Sequence, residues 1–222
     1  MMDWRARQAW MEREYDVLLD DADHAAEGYE NDFRGIADLL AQYRGRILDI
    51  GGGTGVARHW LREVSEYVLL EPSLMWRDPR WARLCTRFPC LGRSCPAVRA
   101  YAEAIPFADG RFDVSLCLWS LNHVASPRQA IDEALRVLKP RGRLLAALED
   151  MPPSWSDLRS QAYPHAAGRR AFVAKLRASV VGWPRQADHV AVAEHLLLRA
   201  RGSRVQRREW RGAYLTFELE KL

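Results

Sequence analysis

Short apolar runs alternate with amphipathic stretches along the 222 residues, the pattern of a parallel sheet wound with helices. Residues 46–50, 67–70, 112–118 and 143–148 read as buried strands, with a shorter one at 97–101. Residues 203–211 and 213–221 read as an antiparallel pair joined at Gly212. In the second of these Leu215, Phe217 and Leu219 alternate with Thr216, Glu218 and Glu220, as in a strand with one wet face.

Helices are expected over 3–22 and 31–43, parted by the acidic, Gly28-containing stretch 23–30, and again over 56–63 and 189–201. The helix after Ser126 is the best marked. Ser126 can cap it, Pro127 suits the first helical position, and Gln129 completes a capping box. Ile131, Ala134, Leu135 and Leu138 share one face, and Pro140 and Gly142 end it. Residues 151–188 hold Pro152, Pro153, Pro164 and Pro184, show no strand pattern, and carry a helical piece at 169–181.

Composition narrows the setting. A chain of this size, 48% hydrophobic and 28% charged, fills one core without disulfides or metal. It contains no membrane-length apolar run, and Met1 to Arg5 lacks a signal peptide's apolar centre, so the cytoplasm is expected. Residues 1–44 carry a net −6 and residues 45–222 a net +10. Six arginines fall within residues 199–211. This run reads either as a phosphate-binding patch or as the solvated face of an arginine-rich protein, and the second is favoured. Cys85, Cys90 and Cys95 are five apart, which fits no zinc pair, so free thiols and no metal are expected.

The chemistry concentrates at the first strand. Asp49, Gly51, Gly53 and Gly55 form a D-x-G-x-G-x-G run where a strand meets a helix, which lets a ligand approach the backbone. The nicotinamide fingerprint would need a small residue at 56, where Val56 stands. Glu71 ends the second strand, where an acid can accept from both ribose hydroxyls.

Together with AEAIPFADGRFDV at 102–114, LWSLNHV at 118–124 and LRVLKPRGRL at 135–144, this loop resembles the Rossmann-like S-adenosylmethionine-dependent methyltransferases, nearest to the small-molecule branch that includes ubiquinone and menaquinone biosynthesis. The resemblance implies one α/β domain with a doubly wound seven-stranded sheet whose last strand is antiparallel. Residues 1–44 would form a helical lid, 45–150 the cofactor core, 151–188 an acceptor-pocket insertion, and 189–222 the last helix and strands.

For the cofactor, it implies that Asp49, Gly51, Gly53 and Gly55 surround the methionine and ribose, and that Glu71 holds the ribose hydroxyls. Pro72 and Ser73 would pass the adenine, Ala102 and Glu103 would edge its pocket, and Cys117 and Leu118 would line the methionine tail. Tyr101 stands where such enzymes usually carry an adenine-binding aspartate.

Methyl transfer needs mainly aim and dryness, and a base only where the acceptor must lose a proton. Candidate catalytic residues are His123 on the loop after the fourth strand, Tyr15 on the first helix and Glu149 after the fifth strand. Trp119 lies beside the methyl site; with Trp4, Trp10, Trp155 and Trp183 it would suit a flat or cationic acceptor, if these rings converge. The expected function is transfer to O or N of a small metabolite, in specialised biosynthesis, by a monomer or homodimer that needs neither membrane nor nucleic acid. An RNA-modifying enzyme and a non-catalytic accessory protein remain the alternatives.

Overall fold

The computed structural model describes residues 20–73, 77–149 and 194–222, together with positions 9, 12, 13, 16, 151, 157 and 192. Tyr15, Trp4, Trp10, Trp155, Trp183 and nearly all of the 151–188 insertion lie outside the described residues.

Seven strands form one sheet: β1 (Arg44–Ile50), β2 (Glu63–Leu70), β3 (Ala97–Val98), β4 (Phe112–Leu118), β5 (Leu138–Leu148), β6 (Ser203–Arg211) and β7 (Tyr214–Lys221). Their order is β3-β2-β1-β4-β5-β7-β6. The first five pair in parallel, and β7 slots antiparallel between β5 and β6. The order reverses between β1 and β4, which opens a crevice at the carboxyl ends of those strands.

Apolar clusters cover both faces. Leu48, Leu70, Leu144 and Phe217 pack on one side and Ile47, Leu69, Val114 and Leu145 on the other. This double cover corrects the reading of β7: Thr216 and Glu218, expected on a wet face, are buried like their neighbours because the strand lies inside the sheet. Among the described residues no helix is long and apolar enough to cross a membrane.

The helices depart from expectation in informative places. Helix α1 (Ala22–Arg34) runs through the stretch 23–30 predicted to break. Asp21 caps it by accepting from the His24 amide at 3.0 Å, and Asp23 sits at its positive end. An added Cβ on Gly28 would meet nothing within 4 Å, so that glycine costs only about 1 kcal/mol of propensity. The chain pauses at Gly35 before a short α2 (Ala37–Leu40).

The helix expected at 56–63 is a single turn, Val56–His59. Trp60 ends it by stacking on Phe33 of α1, centroids 4.1 Å apart and rings 3° from parallel, and β2 starts soon after at Glu63. The helix after Ser126 forms as α3 (Pro127–Arg136). Ser126 Oγ accepts from the Gln129 amide at 3.4 Å, but Gln129's side chain donates instead to the Glu103 carbonyl. Glu103 itself accepts from the Ser126 amide and so takes the other half of the capping box. Pro140 and Gly142 belong to β5, because α3 already stops at Arg136. Near the end, α4 (Glu194–Leu198) precedes Gly202, whose φ of +67° turns the chain into β6.

Four of the six arginines in the run are ion-paired. Arg208 meets Asp157 at 2.6 Å and Glu194 at 2.8 Å, Arg211 meets Asp38 at 2.7 Å and Glu209 at 2.8 Å, and Arg207 meets Glu209 at 3.2 Å. Arg204 pairs with Glu220 at 3.4 Å. These guanidiniums fasten β6 to its neighbours, which leaves the phosphate-patch reading without most of its charge.

Candidate active site

At the carboxyl ends of β1, β2 and β4 the crevice widens into a cavity of about 350 Å³. Its floor is the glycine loop. Gly51, Gly53 and Gly55 have φ of +68°, +57° and +73°, which residues with a Cβ rarely adopt. Gly52 is required for a different reason: a Cβ there would stand 2.3 Å from Asp49 Oδ2. The loop is thus pressed against the carboxylate that ends β1.

Asp49 is 1% exposed. Its Oδ2 accepts a short hydrogen bond from the Tyr67 hydroxyl, while Oδ1 is buried and has no partner among the described residues. Burial pushes its pKa up to about 7, opposed by the Tyr67 hydrogen bond and reinforced by the nearby charge of Glu71. An acceptor left bare at such cost is a place for a donor to arrive.

Glu71 is also buried, and burial raises its pKa. Its two oxygens accept from the amides of Gly53 and Ser73, each at 3.0 Å, so the acid clamps the glycine loop to the chain after β2. Each oxygen retains a second lone pair for a ligand hydroxyl.

Most of the predicted cofactor residues meet here. Asp49, Gly51, Gly53, Glu71, Pro72, Ser73, Ala102, Glu103 and Leu118 all line the cavity, as does Tyr101. Gly55 and Cys117 are not among the lining residues. Gly55 turns the loop's backbone, its amide donating to the Gly52 carbonyl at 2.8 Å. Cys117 is fully buried in the core shared by the sheet and α3, where burial pushes its thiol pKa up.

Of the catalytic candidates, His123 and Glu149 also line the cavity, with Nε2 and Oε1 3.3 Å apart, and Tyr15 lies outside the described residues.

The remaining wall escaped the sequence reading. Tyr29, Asp32 and Phe33 come from α1 and Tyr214 from the start of β7. The Tyr214 hydroxyl donates to Asp32 at 2.5 Å. Trp119 packs edge-on between Phe33, at 4.9 Å, and Tyr214, at 5.1 Å. Its φ of +56° is a strained conformation for a residue with a Cβ, of the kind found at functional sites. No local periodicity marks these positions, because the wall forms only when the two ends of the chain meet.

A family model described as "Methyltransferase domain" matches residues 48–146. Over these residues, somewhat under half of its length, the chain is similar to that family. It shares 40% identity over 101 residues with the demethylmenaquinone methyltransferase of Paenarthrobacter aurescens (strain TC1), covering 40% of this chain and 39% of that protein. It shares 38% over 122 residues with a ubiquinone/menaquinone biosynthesis C-methyltransferase of Pseudomonas aeruginosa (strain LESB58), covering 53% and 46%. The chain thus spans less than half the length of these curated relatives.

Among solved structures, the 1,6-didemethyltoxoflavin-N1-methyltransferase of Burkholderia thailandensis superposes with a TM-score of 0.59 at 16% identity, over 100% of this chain and 91% of that one. The N-methyltransferase NodS of Bradyrhizobium japonicum WM9 superposes with a TM-score of 0.54 at 16% identity, over 87% and 86%. These likenesses are of the fold, over most or all of the chain. Both of those structures hold S-adenosylhomocysteine; in this chain the bare Asp49 oxygen and the Cβ-free floor would suit an ammonium group on a ligand that approaches the backbone closely.

Proposed function

We propose that this chain is an S-adenosylmethionine-dependent methyltransferase acting on O or N of a small molecule, in specialised biosynthesis in the cytoplasm. The observation that carries this reading is the pairing of a glycine floor with Asp49, whose buried Oδ1 lacks a partner. Asp49 binds the methionine ammonium, through a charge-assisted hydrogen bond stronger than a neutral one. Glu71 takes the ribose hydroxyls on the lone pairs that Gly53 and Ser73 leave open. Ala102, Pro72 and Tyr101 bound the adenine side, and Leu118 flanks the methionine tail. Four free thiols favour a reducing compartment.

When bound, the cofactor supplies a methyl carbon activated by its sulfonium and departs as S-adenosylhomocysteine. The chain's own contribution is placement and proton transfer. The strained Trp119, held by Phe33 and Tyr214, sets the wall against which an acceptor lies. His123 takes the acceptor's proton, and Glu149 orients its ring and steadies the imidazolium through the contact at Nε2. The front segment 1–44 acts as a lid, in keeping with the α1 side chains in the cavity wall, and 151–188 completes the acceptor pocket. Ion pairing of the arginine run speaks against RNA as the acceptor.

Calorimetry with S-adenosylhomocysteine and with NAD tests the reading. Binding of the first and not the second is expected, with loss of binding in Glu71→Ala; an inert protein, or one that prefers NAD, overturns it.

A further inference from the structure

Tyr67 is not among the residues lining the cavity, yet its hydroxyl is the group that touches Asp49. In the register of β1 and β2 it stands opposite Ile47, two positions before Asp49. Side chains two apart share a face, so the ring lies on the side of the sheet that carries Asp49. The phenol oxygen spans the remaining step and donates to Asp49 Oδ2. A phenylalanine would fill the same space and stop short of the acid.

The ring is held in turn. Tyr67 is 6% exposed, and the Arg58 guanidinium lies 5.5 Å from the centre of its ring. Arg58 donates from Nε to the Gly55 carbonyl at 3.1 Å and from a terminal nitrogen to the Arg93 carbonyl at 2.8 Å. A Cβ on Gly55 would stand 3.5 Å from both Arg58 Nε and the Tyr67 hydroxyl. Arg58, Tyr67, Asp49 and the glycine turn therefore pack as one unit, with the carboxylate caught between the phenol and Gly52.

This packing decides what Asp49 can offer. Oδ2 is taken by Tyr67, and Oδ1 has no partner among the described residues. Burial disfavours the charge on Asp49, and the hydrogen bond from Tyr67 is the largest influence in its favour. Glu71, at the end of β2, opposes the charge, and Arg58, on the turn Val56–His59, favours it. The buried thiol of Cys117 and the half-buried thiol of Cys95 also feel it.

We propose that Tyr67 is a positioning residue for the cofactor, pinning Asp49 Oδ2 so that Oδ1 meets the ligand's ammonium as a charged acceptor. This rests on the methyltransferase reading, with Asp49 as the ammonium's partner.

The test is calorimetry of full-length protein with S-adenosylhomocysteine across the pH range in which Asp49 titrates, from about 5.5 to 8.5. In Tyr67→Phe the midpoint of the fall in affinity is expected to move up by at least about one pH unit, which weakens binding about threefold at pH 7.5. At the acid end, where Asp49 is protonated in both, parent and variant are expected to bind alike. In an Asp49→Asn background, Tyr67→Phe is expected to change affinity by less than about twofold. A second measurement needs no variant at residue 67. With carbon-13 at the hydroxyl-bearing ring carbon of the seven tyrosines, one resonance of the parent is expected to titrate near pH 7. That titration is expected to vanish in Asp49→Asn and to move to lower pH with S-adenosylhomocysteine bound. An unshifted or absent midpoint, an equal loss at every pH, losses that add in the double variant, or no such resonance overturns the proposal. Failure of S-adenosylhomocysteine to bind the parent at any pH overturns the methyltransferase reading beneath it, a distinct result read in the first titration.

Discussion

Two regions of this molecule bury acids, and they treat them in opposite ways. Along β6 and β7 the buried carboxylates of Asp157 and Glu218 are met by arginines, Arg208 on the first and Arg143 on the second. In the cavity, Asp49 and Glu71 are equally buried and meet only hydroxyls, backbone amides or nothing. Pairing in the first region serves architecture, since an unpaired buried charge would cost several kcal/mol. Leaving acids unneutralised in the second region costs stability, a cost that a cationic ligand such as the proposed cofactor would offset. The state of an acid's partners therefore separates scaffold from site better than burial does.

The largest expected effect comes from closing the gap over Asp49. Gly52→Val drives a side chain into that carboxylate and is expected to abolish S-adenosylhomocysteine binding, a loss beyond about a hundredfold by calorimetry. Native-like circular dichroism in the variant would assign the loss to the site; retained binding would break the contrast.

Arg208→Ala probes the other region. It removes the bidentate guanidinium from Asp157, which is 3% exposed, and is expected to cost about 3 kcal/mol, roughly 6–12 °C in melting temperature, with S-adenosylhomocysteine affinity unchanged. A melting temperature within about 2 °C of the parent would show that the paired acids carry no structural load.

Asp49→Asn sharpens the comparison because its two effects oppose. The carboxyl's folded-state pKa, raised to about 7, lies above its unfolded value. The empty protein therefore gains stability from this group at low pH and loses it as pH rises through about 7. At pH 8 the uncharged variant is expected to melt about 1–2 kcal/mol higher in stability while binding S-adenosylhomocysteine about tenfold more weakly. In the parent, affinity is expected to fall as pH drops below 7 and to level off about tenfold lower, near the affinity of Asp49→Asn, as the protonated acid stops attracting the ammonium. Flat affinity between pH 5.5 and 8 would remove Asp49 from the binding role.

The smallest effect belongs to Arg204→Ala, an exposed pair with Glu220, expected to change stability by less than about 0.5 kcal/mol and to vanish at high salt.

How much of this was legible beforehand divides along the same line. The glycine floor, Glu71, β4, α3 and the β6–β7 pair were readable because each is specified by neighbours in sequence: a turn that needs glycine, a cap, an apolar face. The helix at 56–63 was misread because Trp60 leaves the helical path to stack on Phe33, a contact made across 27 positions. The supposed break at 23–30 was misread as well, because the Asp21 cap and Asp23 in the first turn start α1 there and Gly28 does not interrupt it. Asp32 and Tyr214 gave no signal at all, since neither has any periodic or motif-bearing neighbour that points toward the other.

That last contact has a consequence for the order of events during synthesis. Asp32 and Tyr214 are 182 positions apart, and Arg211 reaches back to Asp38 in the same way. A nascent chain emerges from its first residue onward at about 5–20 residues per second. The glycine floor, Asp49 and Glu71 are therefore outside the ribosome well before the strand that steadies the front helix exists. A chain stalled after β5 would own the carboxylates for a cofactor but lack the Tyr214 wall for an acceptor. Under the proposed function, translation would bring out the donor side of the pocket first and the Tyr214 wall of the acceptor side only once β7 had emerged.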